Sequence, residues 1–180
     1  MYKNEKDNNI EITLPLVSKN EDNAVFPLVI NVLTKFWGEI TPDDEISQRT
    51  TLYPNHRGTI FIEGLEIIEE KFNLLSKVYR GSLDDLKKRL GQGIPLIVIL
   101  PGINETIQFA TIVTGYDPEE KRLITYVPEP DSFGAIPEER FFNEWAQEDF
   151  LTLMIYPGDA QIYSKTVHLR LKKPINFFRS

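Results

Sequence analysis

The chain has 180 residues, 41% hydrophobic and 11% aromatic, with a formal net charge of −7 and no cysteine. That apolar content suits one domain with a full core and excludes a disordered chain, and the missing cysteine excludes disulfides, thiolate catalysis and cysteine-ligated metal. Residues 161–180 hold five bases and no acid, so the body is acidic and repels nucleic acid, while the tail is suited to an acidic partner, to docking back onto its own body or to a solvated end.

In chain order, the polar lead MYKNEKDNNIE has no apolar signal core, and no later run nears the roughly 18 apolar residues of a membrane span. The expected location is therefore cytoplasmic, with no membrane partner. A short extended piece, Ile10 to Leu16, follows. Pro27 then opens a helix whose residues Leu28, Val29, Ile30, Val32, Leu33, Phe36 and Trp37 leave little polar face. Such a helix belongs inside a fold, and Gly38 ends it.

The polar stretch Glu39 to Thr50 has room for one short helix, and YPNHRGT reads as a loop. A second clear helix starts near Thr59, with Phe61, Leu65, Ile68 and Phe72 on one stripe. Leu74 to Tyr79 reads as extended. SLDDLKKRLGQG gives a helix with Ser82 as cap and Gly91 as stop. Strands then dominate. PLIVIL is a buried central strand, and Gln108–Asp117 and Arg122–Val127 flank DPEEK as a hairpin. PEPDSFG reads as a loop. Pro137 to Gln147 is a short helix burying Phe141, Phe142 and Trp145. Phe150 to Pro157 is a strand, and TVHLRLKK alternates like an edge strand. Helices first and then a mostly antiparallel sheet make an α+β domain. The expected organisation is a polar lead over 1–11, a domain over 12–158 and a basic extension over 159–180.

Residues 12 to 157 resemble the papain-like bacteriocin-processing, or double-glycine leader, peptidases. In those enzymes a glutamine precedes Cys-Gly-Pro at the head of the central helix, which ends in an aromatic residue and glycine. Here Asn20 stands near the glutamine position and Val25-Phe26-Pro27 replaces Cys-Gly-Pro. Phe36-Trp37-Gly38 closes the helix at the family's spacing. The family histidine begins a strand running into Gly-Tyr-Asp, and Phe109 falls on it ahead of Gly115-Tyr116-Asp117. Where the next strand ends in Asn-Asp-Pro, this chain has Pro128-Glu129-Pro130, so Glu129 replaces the orienting aspartate. The resemblance implies a papain-like fold in which the nucleophile and base positions hold Val25 and Phe109.

A cysteine peptidase needs a thiolate, a histidine to take its proton and a third group to hold the imidazole. A valine has no lone pair and a phenyl ring no titratable nitrogen, so no catalytic residue remains and the chain reads as a pseudo-peptidase. The resemblance then makes Asn20, Val25, Phe26, Phe109, Glu129 and Asp131 a candidate binding cleft for a peptide or an apolar side chain. Arg170, Lys172, Lys173, Phe177 and Phe178 are the candidate partner-contacting tail, since charge with aromatics is interface-like. The expected function is a peptide- or protein-binding or assembly module, with self-association among its outcomes.

Two alternatives stand beside it. One is a hydrolase or transferase using Glu129, Asp131 or His56 in a remodelled cleft; the other is a structural subunit of a larger complex. No cofactor and no metal are expected, because His56 and His168 have no ligand at zinc-like spacing.

Overall fold

A computed structural model describes residues 9–17, 25–39, 52–53, 58–59, 61–102, 108–127, 133–158, 160–162 and 169–171. At 25–26, 52–53, 58–59, 61–64, 160–162 and 169–171 it describes the backbone alone. The first elements are strand β1 (Ile10–Glu11), helix α1 (Val25–Phe36) and the paired strands β2 (Leu52–Tyr53) and β3 (Gly58–Thr59). Helix α2 (Phe61–Lys71), strand β4 (Leu74–Arg80) and helix α3 (Leu83–Leu90) follow. Strands β5 (Leu96–Pro101), β6 (Gln108–Asp117), β7 (Arg122–Tyr126) and β8 (Phe133–Pro137) lead into helix α4 (Glu138–Gln147). Strand β9 (Leu151–Pro157) and the hairpin β10 (Ala160–Ile162) and β11 (Leu169–Leu171) close the described chain. The fold class is α+β with an antiparallel sheet, and no described helix is long and apolar enough to cross a membrane.

The main sheet has the order β4-β9-β5-β6-β7-β8, with β1 added alongside β6. Continuous apolar sequence explains its centre. Leu96 to Leu100 of β5 are buried on both faces, as strands sandwiched between layers must be. Register sets Lys77 opposite Met154 and Tyr79 opposite Thr152, so these four residues share one face. Helices α3 and α4 cover that face, with Arg89 of α3 at Met154 and Trp145 of α4 beside Leu151.

Helix α1 packs on β6 and on α2. From Pro27 to Thr34 it is buried all round, and its two polar residues there, Asn31 and Thr34, are fully buried. Thr34 Oγ1 donates back to the Ile30 carbonyl at 2.9 Å, which satisfies the hydroxyl without a partner outside the helix. Trp37 pins the far end, its indole N–H donating to the Ile155 carbonyl at 2.7 Å. Gly38 follows in the left-handed region at φ 91°, the backbone turn a glycine allows at a helix end.

Helix α3 ends as its sequence predicts. The Ser82 hydroxyl accepts from the Asp85 amide at 3.2 Å, and Gly91 is the C-cap. Three differences stand out. PEPDSFG was expected to be a loop throughout, yet its last two residues begin β8. In FGAIP the strand formers Phe133 and Ile136 are outnumbered by Gly134, Ala135 and Pro137, and its pairing with β7 from Tyr126↔Phe133 to Arg122↔Pro137 makes it a strand. YPNHRGT likewise contributes to the β2–β3 pair. Phe142 was expected in the core but is 41% exposed, because Phe141 and Trp145, four residues apart, take the inward face of α4. It leans instead on Phe150, with ring centroids 5.2 Å apart. The lead 1–8 and the short helix expected within Glu39 to Thr50 lie outside the described residues.

Candidate functional site

The structure places three of the six candidate cleft positions, Val25 and Phe26 by backbone alone. Val25 is the first residue of α1, at the end of the helix where free amides and the dipole favour an anion. Phe109 is the second residue of β6, opposite Leu100 of β5, and its half-buried ring packs against the hydrophobic core. Phe26 is the second residue of α1 by backbone. Asn20, Glu129, Asp131 and His56 lie outside the described residues, so the structure does not bring the cleft together as a set. In the tail, Arg170 is the middle residue of β11 by backbone, and Lys172, Lys173, Phe177, Phe178 and His168 lie outside.

Two polar clusters sit elsewhere, both built around α3; the i,i+4 spacing of Asp85 and Arg89 is a sequence signal for part of the first, whereas the partners from other elements were not legible. In the first, Arg89 is buried at 6% exposure. Its Nε donates to both Asp85 oxygens, at 2.9 and 2.8 Å, and its Nη1 lies 2.9 Å from Met154 Sδ. The Tyr79 hydroxyl donates to the same carboxylate at 2.9 Å. Burial pushes the Tyr79 phenol well up, Arg89 opposes and the Asp85 charge adds to the rise. The phenol therefore stays a proton donor and has no use as a base.

In the second cluster, Lys87 Nζ lies 2.6 Å from Glu138 Oε2 and 4.1 Å from the Tyr116 ring centroid. It ties α3, β6 and the start of α4 together. Burial alone would lower the Lys87 ammonium, but the Glu138 hydrogen bond and charge outweigh it and the net shift is upward. The Lys87 hydrogen bond holds the Glu138 carboxyl below its ordinary 4.5, against an opposing effect of burial. Acid–base catalysis near neutrality needs a lysine lowered or a carboxyl raised. Both groups move the other way, so the cluster is a structural ion pair. Among the described residues no group of histidine, aspartate or glutamate side chains is placed to hold a metal ion.

No family model matches the chain, and no curated protein does. Solved structures do. A double-glycine-motif protease domain from an AMS/PCAT transporter, solved with its leader peptide, superposes with a TM-score of 0.62 at 14% identity, covering 82% of this chain and 94% of that one. A C39-like peptidase from Bacillus anthracis gives 0.65 at 13% identity over 83% and 98%. The peptidase domain of Streptococcus ComA, a bifunctional ABC transporter in quorum sensing, gives 0.63 at 17% identity over 79% and 97%. At such identities the likeness is one of fold, and it spans nearly the whole of each peptidase domain. The chain thus has the papain-like fold of C39-type double-glycine peptidase domains, and it has it without a single cysteine.

Proposed function

We propose that this chain is a catalytically inactive peptidase-like domain that serves as a peptide- or protein-binding or assembly module in the cytoplasm. The observation that carries the proposal is the retained peptidase fold in a chain with no cysteine. Losing one member of a nucleophile–base pair already removes most of the rate, and here both positions hold hydrocarbon, Val25 and Phe109. The helix that would carry the nucleophile keeps its packing role, since Pro27, the apolar surround and the Trp37 anchor all serve the core.

A protease domain of this fold has been solved with its leader peptide, which supports peptide as the class of ligand. Asn20, Val25, Phe26, Phe109, Glu129 and Asp131 form the proposed cleft. The basic extension with Arg170, Lys172, Lys173, Phe177 and Phe178 forms the proposed partner contact. Two measurements test this. The full chain is incubated with double-glycine peptides and followed by mass spectrometry; no cleavage is expected, and turnover by the unmodified protein overturns the proposal. Deleting 161–180 should weaken association in light scattering, and unchanged association removes the role of the tail.

A further inference from the structure

The two edges of the main sheet are guarded differently. On β4 the Glu69 carboxylate accepts from both the Ser76 backbone N–H, at 3.1 Å, and the Ser76 hydroxyl, at 2.7 Å. Lys77 and Arg80 add charge to the same strand. A filled edge amide and exposed charges are devices that keep a further strand away. β8, at the other edge, shows neither among the described residues. Its sequence FGAIP carries no charge, Phe133, Gly134 and Ala135 are exposed, and among the described residues it pairs with β7 alone. Only Pro137, which lacks an N–H, limits pairing at one end.

The surroundings of β8 say what could fill it. Residues 117–149 contain ten acids and three bases, a net of −7. A fitting occupant is an extended segment in which apolar residues alternate with positive charge. The chain supplies one. Residues 168–173 read HLRLKK, within the stretch 161–180 that contains five bases and no acid. The structure already makes Leu169–Leu171 a strand, paired with β10 in a sheet separate from the main one.

Connectivity favours a contact between copies. Leu171 pairs with Ala160, three residues beyond the end of β9, and Leu169 with Ile162, five residues beyond it, so all of β11 is held within about 18 Å of that end. β9 and β8 are separated by β5, β6 and β7, so a strand added outside β8 would lie five spacings, about 24 Å, across the sheet from β9. While paired with β10, β11 falls short of the β8 of its own chain.

We propose that β11 of one copy adds to the exposed edge of β8 on a second copy, with the basic tail of each lying along the acidic 117–149 segment of the other. The contact is reciprocal and closes as a two-fold dimer. This rests on the assembly role proposed above and names its surface.

The absence of native cysteine makes the test direct. Full-length Ala135→Cys and Arg170→Cys proteins are mixed in low salt and oxidised with copper-phenanthroline. The expected product is a mixed disulfide dimer at several times the yield of either variant alone, reduced several-fold near roughly 0.5 M salt, where charge is screened. No mixed dimer overturns the proposal. Closure within one chain of the Ala135→Cys/Arg170→Cys double variant overturns it too, by placing the tail on its own body. Separately, Ala135→Lys, which charges the edge, should weaken dimerisation at least tenfold in sedimentation with unchanged circular dichroism; undiminished dimerisation counts against it. Loss of the crosslink without peptide hydrolysis removes only this pairing, whereas hydrolysis removes the binding role itself.

Discussion

Replacing Asp85 by alanine should destabilise the protein far more than replacing its partner Arg89 by methionine. Asp85→Ala removes both oxygens that Arg89 Nε donates to and the acceptor of the Tyr79 hydroxyl. It leaves a guanidinium of 6% exposure with only the Met154 thioether and the face of the Tyr79 ring, 5.3 Å away, as partners among the described residues. Stranding one member of a buried pair costs about 3–5 kcal/mol. The Asp85 side chain is itself 26% exposed, so water replaces part of the loss and about 2–4 kcal/mol is the better figure. Arg89→Met removes the buried charge, fills similar volume against Met154 and leaves Asp85 with water and Tyr79. It should cost about 1 kcal/mol.

Urea unfolding followed by the fluorescence of Trp37 and Trp145 measures both. In a chain of this size 1 kcal/mol moves Tm by about 2–4 °C, so Asp85→Ala should lower it by roughly 4–16 °C. The double variant should be more stable than Asp85→Ala alone, because the stranded charge is gone. Arg89→Met losing as much as Asp85→Ala, or a double variant losing the sum, refutes the reasoning.

Gly115→Ala should dislodge β1. The Cβ it adds would overlap the Ile10 carbonyl oxygen, and the strain of about 1–3 kcal/mol is most easily relieved by releasing the two-residue strand. The Ile12 amide, which donates to the Thr114 carbonyl at 2.8 Å, should then exchange with solvent at least about tenfold faster; an unchanged rate contradicts this.

The Lys87–Glu138 pair gives a pH signature with a definite sign. Because the folded Glu138 carboxyl lies below 4.5, its contribution is present above that value and lost as pH falls through the folded one. Lys87→Met should abolish that share, about 0.5–1 kcal/mol for a partly exposed pair. Its stability should therefore fall less than that of the unmodified protein between about pH 6 and pH 3, and parallel curves would rule the pair out as the cause.

The elements with strong periodicity or continuous apolar runs were legible in the sequence. β6 runs over Gln108–Asp117 as expected, and β5 and α3 differ from expectation only at their ends. β8 was not, because FGAIP becomes a strand through the exposed side of β7 rather than through its own residues. Phe142 was misplaced because helical spacing alone cannot separate it from Phe141, which lies a third of a turn nearer the core. The order of segments carried the fold, since packing residues such as Trp37 and Gly38 keep their places in a chain without cysteine. The site was harder to read, because a chain without cysteine lacks the residue that would announce a cysteine-peptidase site. The Lys87–Glu138 cluster joins residues far apart in sequence, and no local pattern predicts it.

The thiol titration of two variants tests the central claim, that Val25 and Phe109 occupy the adjoining nucleophile and base positions of a peptidase fold. Val25→Cys/Phe26→Gly places a thiol at the start of α1, and Phe109→His adds the imidazole. An imidazolium within about 4–6 Å lowers an apparent thiol pKa by about 1–3. Iodoacetamide alkylation rates against pH should show that drop in the triple variant relative to the double one, with circular dichroism unchanged. Coincident titrations in two folded variants would mean the positions do not adjoin, contradicting the account.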